Sequence, residues 1–255
     1  MIRGLYTAAT GMLVQEKRQE NITNNLVNAN TAGYKKSQLA VSSFPEVLLN
    51  RIDAINGSSK GVKPVGTISN GAMLAAQTID FTTGSLEETS NPLDLALTGQ
   101  GFFTVATPQG TAYTRNGSFS LDGDGYLVDS HGNYVLGLSG PIYLNTTDFT
   151  VAKDGTVTVG DEYVDTILIT NFNDQTQLQA VGNDLFTALE GAGPRQLDPA
   201  EVSLRQGFLE KANINLVEEM VNMLTVLRTY EANQKVIQTQ DEILGKSVSE
   251  IGSLR

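Results

Sequence analysis

"INLVEEMVNMLTVLRTYEANQKVIQTQDEILGKSVSEI" (214–251) sets apolar side chains in alternating steps of four and three. Leu216, Met220, Met223, Leu227, Tyr230, Gln234, Ile237, Asp241, Leu244, Val248 and Ile251 hold the alternation for five heptads, and only Gln234 and Asp241 are polar. A repeat of 3.5 residues predicts a long helix with a seam of the coiled-coil kind. Ile214, Val217, Val221 and Leu224 add a second apolar stripe along the first half, which therefore has two faces to bury. A helix over 214–252 is about 58 Å long at 1.5 Å per residue, far beyond the usual length in a globular domain. One helix cannot cover such a seam by itself.

The other end of the chain carries a matching pattern. Met1, Leu5, Ala8, Met12, Gln15, Gln19, Ile22, Leu26 and Ala29 follow the same alternation, and Gly33 is a plausible stop. The two helices pair either as an intramolecular hairpin, which covers one face of each, or by meeting other copies of the chain. Asn21, Asn24, Asn25 and Asn28 lie at i, i+3, i+4 and i+7, one stripe beside the Ile22–Leu26–Ala29 seam. Asparagine is a poor helix former because its amide competes for nearby backbone groups. Charged residues are absent from 21 through 34, as a merely solvated face would rarely be, so the stripe reads as an interface whose amides set register.

Between the ends, "SFPEVLLNRIDAI" (43–55) reads as a short helix capped by Ser43, with Leu48, Ile52 and Ile55 on one face, and "NGSSKG" (56–61) as a flexible connector. From Val62 onward strand and turn chemistry takes over. "GFFTVA" (101–106), "TVTV" (156–159) and "TILITNF" (166–172) are β-type runs, and Asn116-Gly117, Asp122-Gly123, Asp124-Gly125 and Asp154-Gly155 are hairpin turns. The organisation expected is a discontinuous helical region (1–38 and 209–255), a connector (39–75) holding the short helix and an extended segment, and an antiparallel β domain (76–208). The fold class is α+β.

Charge divides along the same lines. Of the 17 bases and 28 acids, residues 1–38 hold five and two (+3), residues 209–255 five and seven (−2), and the middle seven and nineteen (−12). This balance argues against a nucleic-acid or anionic-membrane partner held by a broad basic surface. There is no cysteine, hence no thiolate chemistry. The N-terminal stretch lacks the apolar run of a secretory signal, and no segment is apolar enough for membrane insertion, so an extracytoplasmic protein would be exported here without a cleaved signal peptide. "LDGDGYLVD" (121–129) departs from a calcium loop at Tyr126 and Asn133, and the single His131 has no partner for catalysis. No cofactor, metal or catalytic residue is expected.

"NNLVNANTAGYKKS" (24–37) resembles the N-terminal signature of the bacterial flagellar rod and hook proteins at Asn24, Asn25, Leu26, Asn28, Thr31, Gly33, Tyr34 and Lys35. "NLVEEMVNMLTVLRTYEANQKVIQTQDEIL" (215–244) is similar to their C-terminal motif at Glu218, Glu219, Met220, Arg228, Tyr230, Glu231, Asn233, Lys235 and Asp241. "NPLDLALTGQGFF" (91–103) and "YTRNGSFSLDGDGYLV" (113–128) resemble the start of that family's β domain. The resemblance implies a subunit of the basal-body axial structure that leaves the cell unfolded through the flagellar type III export apparatus. It also implies partners among copies of the chain and the other rod and hook axial proteins, with terminal helices packed in an inner tube.

The expected function is a structural rod subunit whose terminal helices polymerise into a torque-transmitting shaft. Its assembly interface is expected at Leu5, Met12, Asn21, Ile22, Asn24, Asn25, Leu26, Asn28, Met220, Met223, Leu227, Tyr230, Ile237 and Leu244. The alternatives are a β-rich binding module dimerised by its helices, a hook-type axial protein, and a β-domain enzyme using two of the scattered carboxylates.

Overall fold

The computed structural model describes residues 2–53 and 61–252. Two helices bracket the chain, α1 (Ile2–Val27) and α2 (Leu216–Gly252), and the described segments between them are strands, two short 3-10 turns and loops. The fold is α+β, with antiparallel pairing in the central β region. The chain divides into two compact units. One comprises 1–24, 37–78 and 217–255; the other comprises 25–36 and 79–216.

The second unit holds the hydrophobic core. Its main sheet runs Leu178–Gly182, Leu185–Ala188, Gly110–Thr114, Phe102–Thr107, Tyr134–Val135, Leu127–Val128, Ser120–Leu121, and Ile169–Phe172 also pairs with the Phe102 strand. Phe102 and Phe103 are adjacent and both fully buried. Successive side chains of a strand point to opposite faces, so this strand is covered on both sides. Phe103 enters a core with Leu95, Val105, Leu127, Val135, Ile142, Val157, Ile169 and Leu204. Phe102 enters a separate cluster with Phe172 and Phe186, against which Phe81 and Tyr113 pack edge-to-face at centroid separations of 4.8–5.4 Å.

The Asp-Gly pairs form the turns their chemistry predicts, whereas Asn116-Gly117 closes no hairpin: the strands on either side of it pair elsewhere, and the Gly117 carbonyl accepts from the Leu95 amide. The Asp122 carboxylate accepts from the Gly123 amide and its carbonyl from Gly125, where φ is 87°. Asp129 accepts from the amides of His131 and Asn133 and from the Asn133 side chain, which closes the loop that resembled a calcium site. Asp154 accepts from Thr156 ahead of Gly155. These Asx-type bonds replace the backbone bonds that a tight reversal forgoes.

The first unit contains most of α1 and α2 and a two-part β ribbon. Ser37–Ser43 pairs with Ala72–Ile79, and Val47–Asp53 pairs with Gly61–Ile68 from Val47↔Ile68 to Asp53↔Gly61. This corrects the helix expected over 43–55: residues 47–53 form a strand, while 54 and 55 and most of the "NGSSKG" connector lie outside the described residues. Leu48 and Ile52 have helical spacing, but a complementary strand downstream supplies a full ladder of backbone partners, and that tertiary pairing overrides the local pattern.

Candidate assembly surface

The two helices touch in the first unit through glycine. A Cβ at Gly11 would stand 3.0 Å from the Asn233 amide nitrogen, and one at Gly4 would stand 3.5 Å from that of Gln240. Seven residues forward on α1 correspond to seven residues backward on α2, so the helices run antiparallel, and glycine lets an amide side chain lie directly on the α1 backbone. Glu219, Val226, Asn233 and Gln240 recur every seven residues on this inward row. Glu219 and Val226 are buried, and Met223, Ile237 and Leu244 beside them are half-buried. On α1 the buried positions are Ala8, Val14, Ile22 and Asn25.

The sequence seam is therefore split between two faces of α2. Met223, Ile237 and Leu244 flank the inward row, whereas Met220 (57% exposed), Leu227 (36%), Tyr230 (38%) and Val248 stay open. The second stripe, Val217, Val221 and Leu224, is open as well. On α1, Leu5, Met12 and Leu26 are half-buried, while Tyr6, Leu13 and Val27 are exposed. The ribbon adds Val47, Leu48 and Val65 to the exposed apolar side chains. No helix of the described residues is long and apolar enough to cross a membrane.

The asparagine stripe is put to local use. The Asn21 amide donates to Ser37 Oγ at 2.9 Å, Asn25 Oδ1 accepts from the Tyr34 hydroxyl at 3.2 Å, and Asn28 Oδ1 accepts from Thr31 Oγ1 at 3.4 Å. Asn25 is buried, Asn21 and Asn28 are half-buried and Asn24 is exposed. Three of the four amides thus hold the chain where it leaves α1, a local use that the spacing of the stripe does not reveal.

Just beyond, Gly33 sits at φ 68°, and a Cβ there would overlap the Arg115 carbonyl. The Gly33 amide donates to the Glu210 carbonyl at 2.7 Å. Lys35 Nζ donates to Glu210 Oε1 at 2.6 Å and to the Thr82 carbonyl at 2.7 Å; Arg115 Nε lies 3.5 Å from Glu210 Oε2, and the Gly84 amide donates to Oε1 at 2.8 Å. All three charged side chains are buried. Burial pushes the Lys35 ammonium below the ordinary lysine value, against the pull of the Glu210 carboxylate, and it lowers Arg115 likewise. Lys35 and Glu210 are 175 positions apart, and no spacing in the sequence pairs them. The one clue was the place of Lys35 in the N-terminal signature.

Three family models match the chain: "Flagella basal body rod protein" over 5–35, "Flagellar hook protein FlgE/F/G D1 domain" over 96–159, and "Flagellar basal body rod FlgEFG protein C-terminal" over 205–250. The chain is 35% identical to the flagellar basal-body rod protein FlgG of Borreliella burgdorferi, with 96% of this chain and 97% of that protein covered. It is 34% identical to FlgG of Bacillus subtilis over 98% and 99%. The chain belongs to the flagellar basal-body rod protein family. The hook-basal body complex protein FlhO of Bacillus subtilis, another relative, is 33% identical over the whole of both chains. Within this family member, Lys35, Arg115 and Glu210 each come from a different matched segment. The buried ion cluster therefore joins the segment after α1, the β core and the segment before α2, while the outward rows of α2 stay apolar and exposed.

Proposed function

We propose that this chain is a structural subunit of the flagellar rod, which polymerises through its terminal helices into a tubular shaft carrying torque from motor to hook. The observation that carries the reading is the double-faced α2. Its inward row is covered within the chain, while Val217, Met220, Val221, Leu224 and Leu227 stay open. Each large apolar side chain fully removed from water contributes about 1.5–3 kcal/mol, so a row of five supplies a strong drive for association. One patch meeting a different patch on the next copy without closing generates a filament.

The assembly residues on this reading are Leu5, Met12, Asn21, Ile22, Asn24, Asn25, Leu26, Asn28, Met220, Met223, Leu227, Tyr230, Ile237 and Leu244, with Met220, Leu227 and Tyr230 making the direct contacts between copies. The partners are further copies, the neighbouring rod and hook proteins and the type III export apparatus, which passes the chain out without a cleaved signal. The chain works as a structural element and not as an enzyme. Negative-stain microscopy of the concentrated protein tests the reading: tubes are expected, and a protein that stays monomeric or stops at a closed dimer at every concentration overturns it.

A further inference from the structure

Three Asn-Gly pairs occur in the chain, at 56–57, 70–71 and 116–117, and the first lies outside the described residues. An asparagine followed by glycine is open to attack on itself. The next backbone nitrogen lies within reach of the side-chain Cγ, and glycine has no Cβ to obstruct the approach. Asparagine is thermolabile by such chemistry. What the fold does with the two groups decides whether a given pair reacts, and it treats the two described pairs differently.

Asn116-Gly117 is tied down. Asn116 Oδ1 accepts from the Ser118 amide and the Asn116 amide donates to Thr114 Oγ1, both at 3.0 Å, while the Gly117 carbonyl accepts from Leu95. Gly117 is buried so closely that an added Cβ would overlap the Leu95 carbonyl. Asn70-Gly71 is open. Asn70 is exposed in the short link between the strands Gly61–Ile68 and Ala72–Ile79. Among the described residues its side chain makes no hydrogen bond, and the peptide group between Asn70 and Gly71 makes none either. The atoms on both sides are held. Ser69 Oγ donates to the carbonyls of Phe44 and Gly71 at 3.0 and 3.2 Å, and the Phe44 amide donates to the Gly71 carbonyl at 3.0 Å. The reacting pair alone, the Asn70 side chain and the Gly71 N–H, is left to water.

We propose that Asn70 is a site of spontaneous covalent modification, an intramolecular deamidation in which water is the only co-reactant. The Gly71 nitrogen gives its proton to solvent base and bonds to Asn70 Cγ. The Cγ–Nδ2 bond breaks, and ammonia leaves with a proton taken from water. Water then adds to one of the two carbonyls of the succinimide ring, which opens at that carbon–nitrogen bond to aspartate or isoaspartate at position 70. Nothing is oxidised or reduced, and the chain is not cut. Either product is ionised at neutral pH and makes the net charge of −11 more negative by one. Isoaspartate also lengthens the backbone by one carbon just ahead of the Gly71 carbonyl that holds Phe44. The inference concerns the first unit alone and stands whether or not the helices polymerise.

The full-length chain, native or unfolded in urea, is aged in ¹⁸O-labelled water at mildly alkaline pH, then digested in ordinary water and mapped by mass spectrometry. Urea releases both pairs from the fold, so Asn70 and Asn116 should then react at similar rates. In the native protein Asn70 should keep most of that rate while Asn116 slows about tenfold or more, the factor that 1.4 kcal/mol of added barrier gives. The peptide holding Asn70 should carry one heavy oxygen and separate into two isomers, one of them a substrate for a protein isoaspartyl methyltransferase. Asn70→Gln closes a five-membered ring no longer and should remove the label from that peptide. Native protection of Asn70 as strong as that of Asn116, absence of the isoaspartate isomer, or label that survives Asn70→Gln overturns the proposal.

Discussion

Glu210 holds two cations and the Gly84 amide with its side chain only 1% exposed, so its charge is needed where it sits. Glu210→Gln leaves Lys35 and Arg115 buried with no carboxylate between them. The expected loss is about 3–5 kcal/mol, read by urea unfolding of the full chain, and Lys35→Met should cost less because the Arg115–Glu210 pair survives. Asp184 makes a different prediction. Burial raises its carboxyl above the usual value, against a hydrogen bond from Asn116 and the positive influence of His131. The native state then binds more protons than the unfolded state between the unfolded value of 3.8 and the raised native value, so this residue's contribution to stability improves as pH falls through that window. Asp184→Asn should therefore stabilise the protein at pH 7, with the advantage over wild type vanishing below the window. Asn also suits the backbone there, where φ is 57°. Thermal midpoints of both proteins across pH 3 to 7 check the sign.

At the scale of the element, α2 offers two adjacent residues with opposite expectations. Val226 is 6% exposed on the inward row and Leu227 is 36% exposed on the outward one. Leu227→Asp should leave the melting of the subunit within about 0.5 kcal/mol of wild type, as surface changes usually do. It should abolish tubes, because an unpaired carboxylate buried between copies costs several kcal/mol. Val226→Asp should instead damage the helix pair within the subunit, detected as faster amide exchange along α1 and α2. Equal effects of the two changes on the monomer would move Leu227 into the intramolecular core and remove the basis of the assembly reading. Gly11→Leu tests the helix contact itself: Asn233 must give way, and α1 should lose protection first.

For the whole molecule, the charge map and the apolar rows make opposing demands. The stretch 39–208 carries −12, so copies brought together in a shaft repel one another. Salt shortens the Debye length to about 8 Å at 0.15 M and should lower the concentration at which tubes appear. Association driven by apolar burial weakens on cooling, so assembly at low temperature should fall. Sedimentation across salt and temperature reads both effects. If assembly were held by ion pairs, salt would raise the critical concentration.

What the sequence determined by itself is what local chemistry controls. The 3.5-residue repeats required long helices at both ends, the Asp-Gly pairs required tight turns, and the apolar run around Phe102 and Phe103 required a strand. Tertiary structure decided everything that depends on a distant partner. Residues 47–53 became a strand because 61–68 pairs with them. The seam of α2 was divided because Gly4 and Gly11 draw Gln240 and Asn233 inward and so fix the rotation of the helix, which a repeat alone leaves open. Lys35, Arg115 and Glu210 met because the fold closes a separation of 175 residues, and a buried charge is stable only where its partner is brought to it.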